Sequence, residues 1–151
     1  MHRNQQIGGN MKSMNPYLNF SGTSEEAFEF YKSVLGGEIV TLVRFKEMPG
    51  GDNIPAEARE KIMHIALRIR PDTLLMATDA LESMGRRLTI GNNHYLMINP
   101  ESREEADKNF SGLSAGGQVE MPMQNASWGG FFGSFTDMFG VRWMINFDPR
   151  G

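Results

Sequence analysis

The clearest candidate for chemistry in this sequence is a histidine inside an apolar stretch. His64 lies in segment 62–69, where isoleucine or leucine fills every second position after it. Because successive side chains of a strand point to opposite faces, His64 and Arg68 share the face turned away from those apolar residues. An imidazole beside a guanidinium would suit an anionic or carbonyl-bearing ligand. The alternative, equally compatible with the pattern, is a half-buried histidine that bonds a backbone carbonyl.

Two further titratable residues could join His64. Asp79 follows an apolar run at 74–77, where a carboxylate usually forms a turn with local backbone. As a site residue it would instead be a partner of His64 or a general base. His94 turns toward the same side as these groups only if its strand shifts by one residue. Asp137 precedes Met-Phe-Gly and indicates a hairpin residue.

Composition and missing motifs remove several classes of function. The 151 residues include no cysteine and carry a net charge of −3, so thiol chemistry is excluded and a reducing compartment, the cytoplasm, is predicted. Scattered Lys and Arg form no basic stripe for nucleic acid. No apolar run approaches the roughly 20 residues of a membrane span. Serine-nucleophile, His-Glu-x-x-His and phosphate-loop motifs are also missing.

Three short motifs occur twice, 78 to 80 residues apart and in the same order. A fixed spacing of this size indicates two copies of one supersecondary unit. The matched motifs are Asn15-Pro16-Tyr17-Leu18 with Asn93-His94-Tyr95-Leu96, Glu25-Glu26-Ala27 with Glu104-Glu105-Ala106, and Gly36-Gly37-Glu38-Ile39 with Gly116-Gly117-Gln118-Val119.

Each copy predicts a βαβββ unit, so the fold class is α+β. The helix of each copy begins at a Ser- and Glu-rich segment and ends at Gly-Gly. The predicted strands are 17–20, 38–45, 62–69 and 73–77 in the first copy, and 95–99, 118–122, 133–136 and 141–147 in the second. One helix covers one face of each sheet, which leaves the other faces to form a curved mixed sheet around a cavity.

The sequence predicts a single domain over residues 15–151, with the repeats at about 15–80 and 93–148. Segment 46–61, rich in Pro, Gly and charge, is the predicted lid, and segment 81–92 joins the two copies. Residues 1–14 are predicted to be a loose leader, in which Met11 or Met14 could be the natural start.

Several motifs after Met14 together resemble one known family. They are Pro16-Tyr17-Leu18-Asn19-Phe20, Gly22, Glu26-Ala27-Phe28-Glu29-Phe30-Tyr31, Leu35-Gly36-Gly37, His64, Asp79, Trp128-Gly129 and Asp137-Met138-Phe139-Gly140-Val141-Arg142-Trp143. The chain resembles the PhnB-like family of the vicinal oxygen chelate superfamily (glyoxalase, bleomycin resistance and extradiol dioxygenase). The resemblance implies the glyoxalase fold and a homodimer. Members often carry the label 3-demethylubiquinone-9 3-methyltransferase domain, but no Gly-rich turn for a methyl-donor cofactor is present.

The resemblance also implies where a metal would bind. Catalytic members of the superfamily hold a divalent metal through His, Gln or Glu on the cavity side of the sheet. In this sequence those positions fall on Asn15, Asn93 and Met144. Asparagine is a weak ligand here and a thioether suits hard divalent ions poorly, so we expect no metal and no other cofactor.

These considerations predict a homodimer that binds a small molecule without the usual metal centre. The predicted pocket residues are Tyr17, His64, Arg68, Asp79, Tyr95, Trp128 and Met144; Trp128 could equally pack in the core or a dimer contact. One alternative is a metal-dependent lyase, isomerase or dioxygenase using His64, Asp79 and His94. Another is a structural dimerisation module whose cavity is filled by its own side chains.

Overall fold

The computed structural model describes residues 9–150 and contains the two predicted βαβββ units. Residues 1–8 of the predicted leader lie outside the described residues, and residues 9–14 are exposed and form neither helix nor strand. The first unit consists of β1 (Tyr17–Phe20), α1 (Ser24–Leu35), β2 (Glu38–Arg44), β3 (Ile62–Arg70) and β4 (Thr73–Asp79). The second consists of β5 (Leu96–Ile98), α2 (Arg103–Ser114), β6 (Gln118–Asn125), β7 (Phe131–Thr136) and β8 (Arg142–Phe147).

Each unit forms its own four-stranded mixed sheet. The strand orders are β1-β4-β3-β2 and β5-β8-β7-β6, with the first and last strands of each unit parallel and the other pairs antiparallel. The sequence predicted one combined sheet, whereas no ladder between the described strands joins the two sheets. None of the described helices is long and apolar enough to cross a membrane.

The sixth strand runs further than its proline suggested. The sequence predicted that it would end at Pro122, but β6 continues to Asn125. Proline removes one backbone donor, which an edge strand tolerates because that edge has no neighbour to bond. The predicted lid, residues 46–61, contains three short 3-10 turns rather than an open loop.

Both helices lie on one side of their sheets and enclose a core shared by the two units. Ala27, Phe28 and Tyr31 of α1 are fully buried, as the helical periodicity predicted. The Tyr31 ring meets the Trp143 ring edge-on, with 5.4 Å between centroids. Phe20 of the first unit and Phe139 of the second make a similar contact at 6.4 Å. The two units therefore form one hydrophobic core.

The second glycine of each Gly-Gly pair explains why this motif repeats. A Cβ on Gly37 would lie 2.4 Å from the carbonyl oxygen of Arg68, and one on Gly117 would lie 2.2 Å from that of Thr136. Both distances are far shorter than a carbon and an oxygen allow. The helix exit therefore passes directly against a strand backbone in both units, which only glycine permits.

A buried carboxylate fixes the start of α1. Asp79 is 1% exposed and accepts hydrogen bonds from the Ser24 backbone N–H at 3.0 Å, the Ser24 hydroxyl at 2.7 Å and the Ile62 N–H at 2.8 Å. The end of β4 is thereby tied to the first turn of the helix and to the start of β3. A carboxylate at a helix N-terminus is also stabilised by the helix dipole.

A second buried carboxylate ties the two units together. Asp137 is 3% exposed and accepts hydrogen bonds from the Tyr31 hydroxyl at 2.5 Å and from Trp143 Nε1 at 2.8 Å. The backbone N–H groups of Phe139 and Val141 also donate to it, at 2.8 and 3.0 Å. The hairpin role that the sequence predicted for Asp137 is present, together with the link to α1. Burial, and next the Asp137 charge, raise the pKa of Tyr31 far above its ordinary value.

We expect Tyr31→Phe to destabilise the fold by about 1–3 kcal/mol, because it leaves a buried carboxylate oxygen short of one donor. Tyr17→Phe is the matched control: it removes a hydroxyl from an exposed position and should change stability by less than about 0.5 kcal/mol. Urea unfolding of both variants measures the difference. Equal stability of Tyr31→Phe and the unaltered protein would show that the Tyr31 to Asp137 bond contributes nothing net.

Candidate functional site

Each sheet has one face that no helix covers, and these two faces carry the candidate site. We call the face of the first sheet the first open face; it is formed by Tyr17, Asn19, His64, Ala66, Met76 and Thr78, which pair across β1, β4 and β3. The second open face is formed by Tyr95, Met97, Glu120, Met121, Phe132, Ser134, Arg142, Met144 and Asn146. The sequence analysis assigned the strand residues Tyr17, His64 and Met144 to these faces.

On the first open face, a tyrosine and a histidine form a pair. The Tyr17 hydroxyl and His64 Nδ1 are 2.8 Å apart, and the rings stack with 5.6 Å between centroids. The direction of this hydrogen bond depends on which ring nitrogen carries the proton. Burial raises the pKa of Tyr17, while the positive charge of Arg86 acts in the opposite direction. The pair is therefore a neutral phenol against an imidazole, able to donate and to accept a hydrogen bond.

Arg68 lies far from the His64 that it was expected to accompany. The two residues are four positions apart on β3, which is about 13 Å along a strand. The Arg68 guanidinium donates to the Pro71 carbonyl at 3.1 Å and so caps the turn between β3 and β4. Sharing a face was predicted by the alternation, but the distance along the strand separates the two groups.

The set of His64, Asp79 and His94 is not brought together within the chain. Asp79 pairs in register with Phe20 and faces α1, so it lies on the opposite side of the sheet from His64. His94 is exposed and contacts Asn93, with 3.3 Å between its Nδ1 and Asn93 Oδ1. Among residues 9–150, no group of three or more His, Cys, Asp or Glu side chains is placed to hold a metal ion.

The side chains at the positions implied for a metal do not fit one either. Asn15 donates to the Ser13 hydroxyl at 2.9 Å. Met144 lies between Met97 and Ser134 in the second sheet, so its neighbours offer a thioether and a hydroxyl. These donors are poor ligands for the hard divalent ions of the superfamily. We therefore derive no metal-assisted chemistry from this site.

A polar cluster occupies one end of the second open face. The Glu120 carboxylate accepts hydrogen bonds from the Tyr95 hydroxyl at 2.6 Å, the Ser134 hydroxyl at 2.8 Å and Arg142 Nη2 at 2.5 Å. Arg142 also donates to the Tyr95 oxygen at 2.6 Å and to the Asn92 carbonyl at 2.6 Å. Its guanidinium lies over the Tyr95 ring, 4.3 Å from the centroid. These contacts hold the arginine in one position.

The protonation equilibria of the cluster are coupled. The hydrogen bond from Tyr95 is the largest effect that lowers the pKa of Glu120, followed by the bond from Ser134. The same bond to Glu120 raises the pKa of Tyr95. The cluster therefore contains an ionised carboxylate and a neutral phenol at physiological pH.

Glu120 was missed by the sequence analysis because it lies in a β-bulge. The pairing of β6 with β7 shifts between Val119 and Met121, and the extra residue in the shift is Glu120. Simple alternation places Glu120 and Met121 on opposite faces, whereas the bulge lets both approach the second open face. No local sequence signal marks the bulge.

Apart from Asn146, the rest of the second open face is apolar. Met97 pairs with Met144, and Met121 lies one strand further on, beyond Ser134. Trp128, in the loop between β6 and β7, is half exposed and meets Phe132 edge-on, with 5.8 Å between centroids. Methionine and aromatic side chains give an adaptable apolar surface. Trp128 thus borders the second open face and is not in the core.

An apolar cleft separates the edges of the two sheets. It encloses about 440 Å³ between the start of β4 and the edge strand β5. Its wall includes Pro16, Leu35, Ile69, Leu74, Leu75, Tyr95, Leu96, Met97, Ile98 and Trp143. Tyr95 and Met97 therefore belong both to the second open face and to the cleft.

Known proteins are similar to this chain in sequence and in fold. A model of the Glyoxalase/Bleomycin resistance protein/Dioxygenase superfamily matches residues 14–145. Protein YjdN of Escherichia coli (strain K12) is 34% identical over 141 residues, which cover 88% of this chain and 93% of YjdN.

Two solved structures are similar along nearly their whole length. Protein PA1353 from Pseudomonas aeruginosa superimposes with a TM-score of 0.81 at 35% identity, covering 91% of this chain and 98% of that one. A PhnB protein from Bacillus cereus, which bears the provisional label 3-demethylubiquinone-9 3-methyltransferase, gives 0.74 at 26% identity, covering 90% and 99%.

We expect Tyr95→Phe to raise the pKa of Glu120 toward its ordinary value, because the substitution removes the largest of the effects that lower it. Carbon-detected NMR titration of the Glu120 carboxyl measures the change, and Tyr17→Phe should leave that titration unaltered. A carboxylate with a lowered folded pKa stabilises the fold above its unfolded pKa, and this stabilisation is lost as the pH falls through the folded pKa. An unchanged Glu120 titration in Tyr95→Phe would contradict the coupling.

Proposed function

The chain belongs to the Glyoxalase/Bleomycin resistance protein/Dioxygenase superfamily, and from this premise we propose that it is a small-molecule-binding homodimer that acts without the usual metal centre. The observation that carries the proposal is the pair of uncovered sheet faces. One has the Tyr17/His64 pair, and the other has an apolar surface beside the Glu120/Arg142 cluster. A binding or sequestering role needs no more than these groups.

The exposed apolar side chains support the dimer. Met97, Met121 and Trp128 are all more than one third exposed, on or beside the second open face. Contiguous apolar surface of this kind usually marks an interaction site. A second copy of the chain is the partner we favour, because a two-fold dimer brings each patch against a fixed complement on its mate.

The dimer mode that we propose places the first open face of one protomer against the second open face of its partner. Within one chain each sheet turns its covered face toward the shared core, so neither open face has an opposing sheet among the described elements. Pairing between copies would supply that opposing wall. It would also place the Tyr17/His64 pair of one protomer opposite the Glu120/Arg142 cluster of its mate.

The apolar cleft sets the class of ligand. Its volume of about 440 Å³ lies within the roughly 300–1,000 Å³ of typical small-molecule pockets. Its wall is mainly aliphatic, and the residues with polar side chains in it are Arg70, Thr73, Tyr95 and Asn99. We propose an organic molecule with an apolar body and a few hydrogen-bonding groups, bound in the cytoplasm.

The positions of His64, Asp79 and His94, the ligands of the alternative metal site, argue against a metal-dependent enzyme as a second function. Asp79 is committed to Ser24 and Ile62, and its side chain faces away from His64. The third possibility, a purely structural dimerisation module, requires side chains to fill the space between the sheets. The open cleft beside Met97 favours a ligand over that possibility.

We expect protein purified without chelator to appear in native mass spectrometry as a dimer of about twice the 17.0 kDa chain mass, with an organic adduct and far less than one divalent ion per chain. The adduct follows from the open cleft, and the low metal content from the poor donor set. About one zinc, nickel, iron or manganese per chain, lost in His64→Ala, would instead support the metal-dependent enzyme. A dimer that binds no organic molecule in a fragment screen would support the structural module.

We expect Met97→Lys to shift the protein toward monomer, because it buries a charge at the proposed interface. Met138→Lys is the matched control, since Met138 is 48% exposed against 54% for Met97 but lies in the turn between β7 and β8, outside both open faces. Sedimentation velocity over a range of concentrations measures the dissociation of both variants. Equal weakening by the two lysines would place the interface elsewhere.

A further inference from the structure

A second, smaller groove lies where the linker between the two units crosses the start of both. It encloses about 200 Å³, and its wall consists of Tyr17, Leu18, Asn19, Leu88, Thr89, Ile90, Gly91, His94, Gly140, Val141 and Arg142. The linker is seated closely, since a Cβ on Gly140 would lie 3.3 Å from Ile90 Cδ1. We call this site the linker groove.

The residues that line the linker groove include no carboxylate. Arg142 and His94 line it, and no aspartate or glutamate does. Arg86 adjoins it and donates from Nη2 to Asn19 Oδ1 at 3.3 Å. The nearest carboxylate in contact with these groups is Glu120, which bonds Arg142 at Nη2. Of the arginine's nitrogens, Nε donates to none of the residues at positions 9–150.

The groove also contains neutral hydrogen-bond donors in fixed positions. Asn19 and Tyr17 project into its wall from β1. When His64 Nδ1 carries the proton and donates to Tyr17, the phenol hydrogen is free to bond a ligand atom. Arg142 is held by Asn92, Tyr95 and Glu120, so binding costs it little side-chain entropy.

The size of the groove limits what can enter. Its volume is below the roughly 300 Å³ at which pockets for whole organic molecules begin. A small anion fits, whereas a drug-sized molecule does not. Positive charge on guanidinium groups together with hydroxyl and amide donors is the chemistry that binds carboxylate and phosphate oxygens.

We propose that the linker groove binds a small oxyanion, either a carboxylate or a phosphate group. The proposal does not depend on the dimer or on a ligand in the apolar cleft, because every residue of the groove comes from one chain. It moves the guanidinium and imidazole recognition that the sequence suggested for His64 and Arg68 to Arg142, Arg86 and His94.

Titration with inorganic phosphate and, separately, with acetate tests the proposal. At low ionic strength, where screening is weak, the NMR signals of Arg142 Nε and of the His94 ring should shift and saturate with at least one anion. Tighter binding of phosphate would identify the ligand group as phosphate, and tighter binding of acetate as carboxylate. No saturable shift with either anion would overturn the proposal.

Paired variants show whether the binding is local. Arg86→Gln combined with His94→Asn should weaken anion binding by about tenfold or more, the size of a lost charge-assisted contact. Both positions are exposed, so the fold should tolerate the change, and circular dichroism verifies this. Arg68→Gln is the control and should leave the affinity unaltered. An equal loss in Arg68→Gln would show general charge attraction and would also overturn the proposal.

Discussion

The Asp137 carboxylate joins the two units of the chain, because it accepts hydrogen bonds from Tyr31 of the first and Trp143 of the second. A buried ionised group is tolerated only when its oxygens are bonded, so this one carboxylate constrains α1, the hairpin between β7 and β8, and the shared core together. Asp79 has a similar role within the first unit, where it ties α1 to β3 and β4. With both helices fixed on one side, the opposite faces of the sheets stay uncovered.

The uncovered faces differ although the units repeat. The first presents a phenol against an imidazole, and the second presents a carboxylate, a guanidinium and a row of methionines. The repeated features, the Gly-Gly elbows and the helix positions, belong to the covered side. Packing thus preserves the covered side, while the side that can meet a ligand is chemically free to diverge.

Local sequence pattern predicted much of this structure. The rest depends on long-range geometry that the pattern does not contain. Alternation placed Tyr17, His64 and Met144 on the uncovered faces, and the repeats predicted the βαβββ units. Alternation predicts which face a residue lies on but not how far apart two residues are along the strand, so Arg68 was placed beside His64. It also does not predict where a β-bulge occurs, so Glu120 was overlooked.

The edge strand β6 has one further consequence. It is eight residues long, almost wholly exposed and carries Val119 and Met121, which is the kind of edge on which other chains can add strands and form fibrils. Pro122 lacks an N–H to offer such a strand, and the bulge at Glu120 disrupts the regular ladder beside it. The same irregularity that brings Glu120 to Arg142 therefore makes this edge a poorer template for amyloid-like growth.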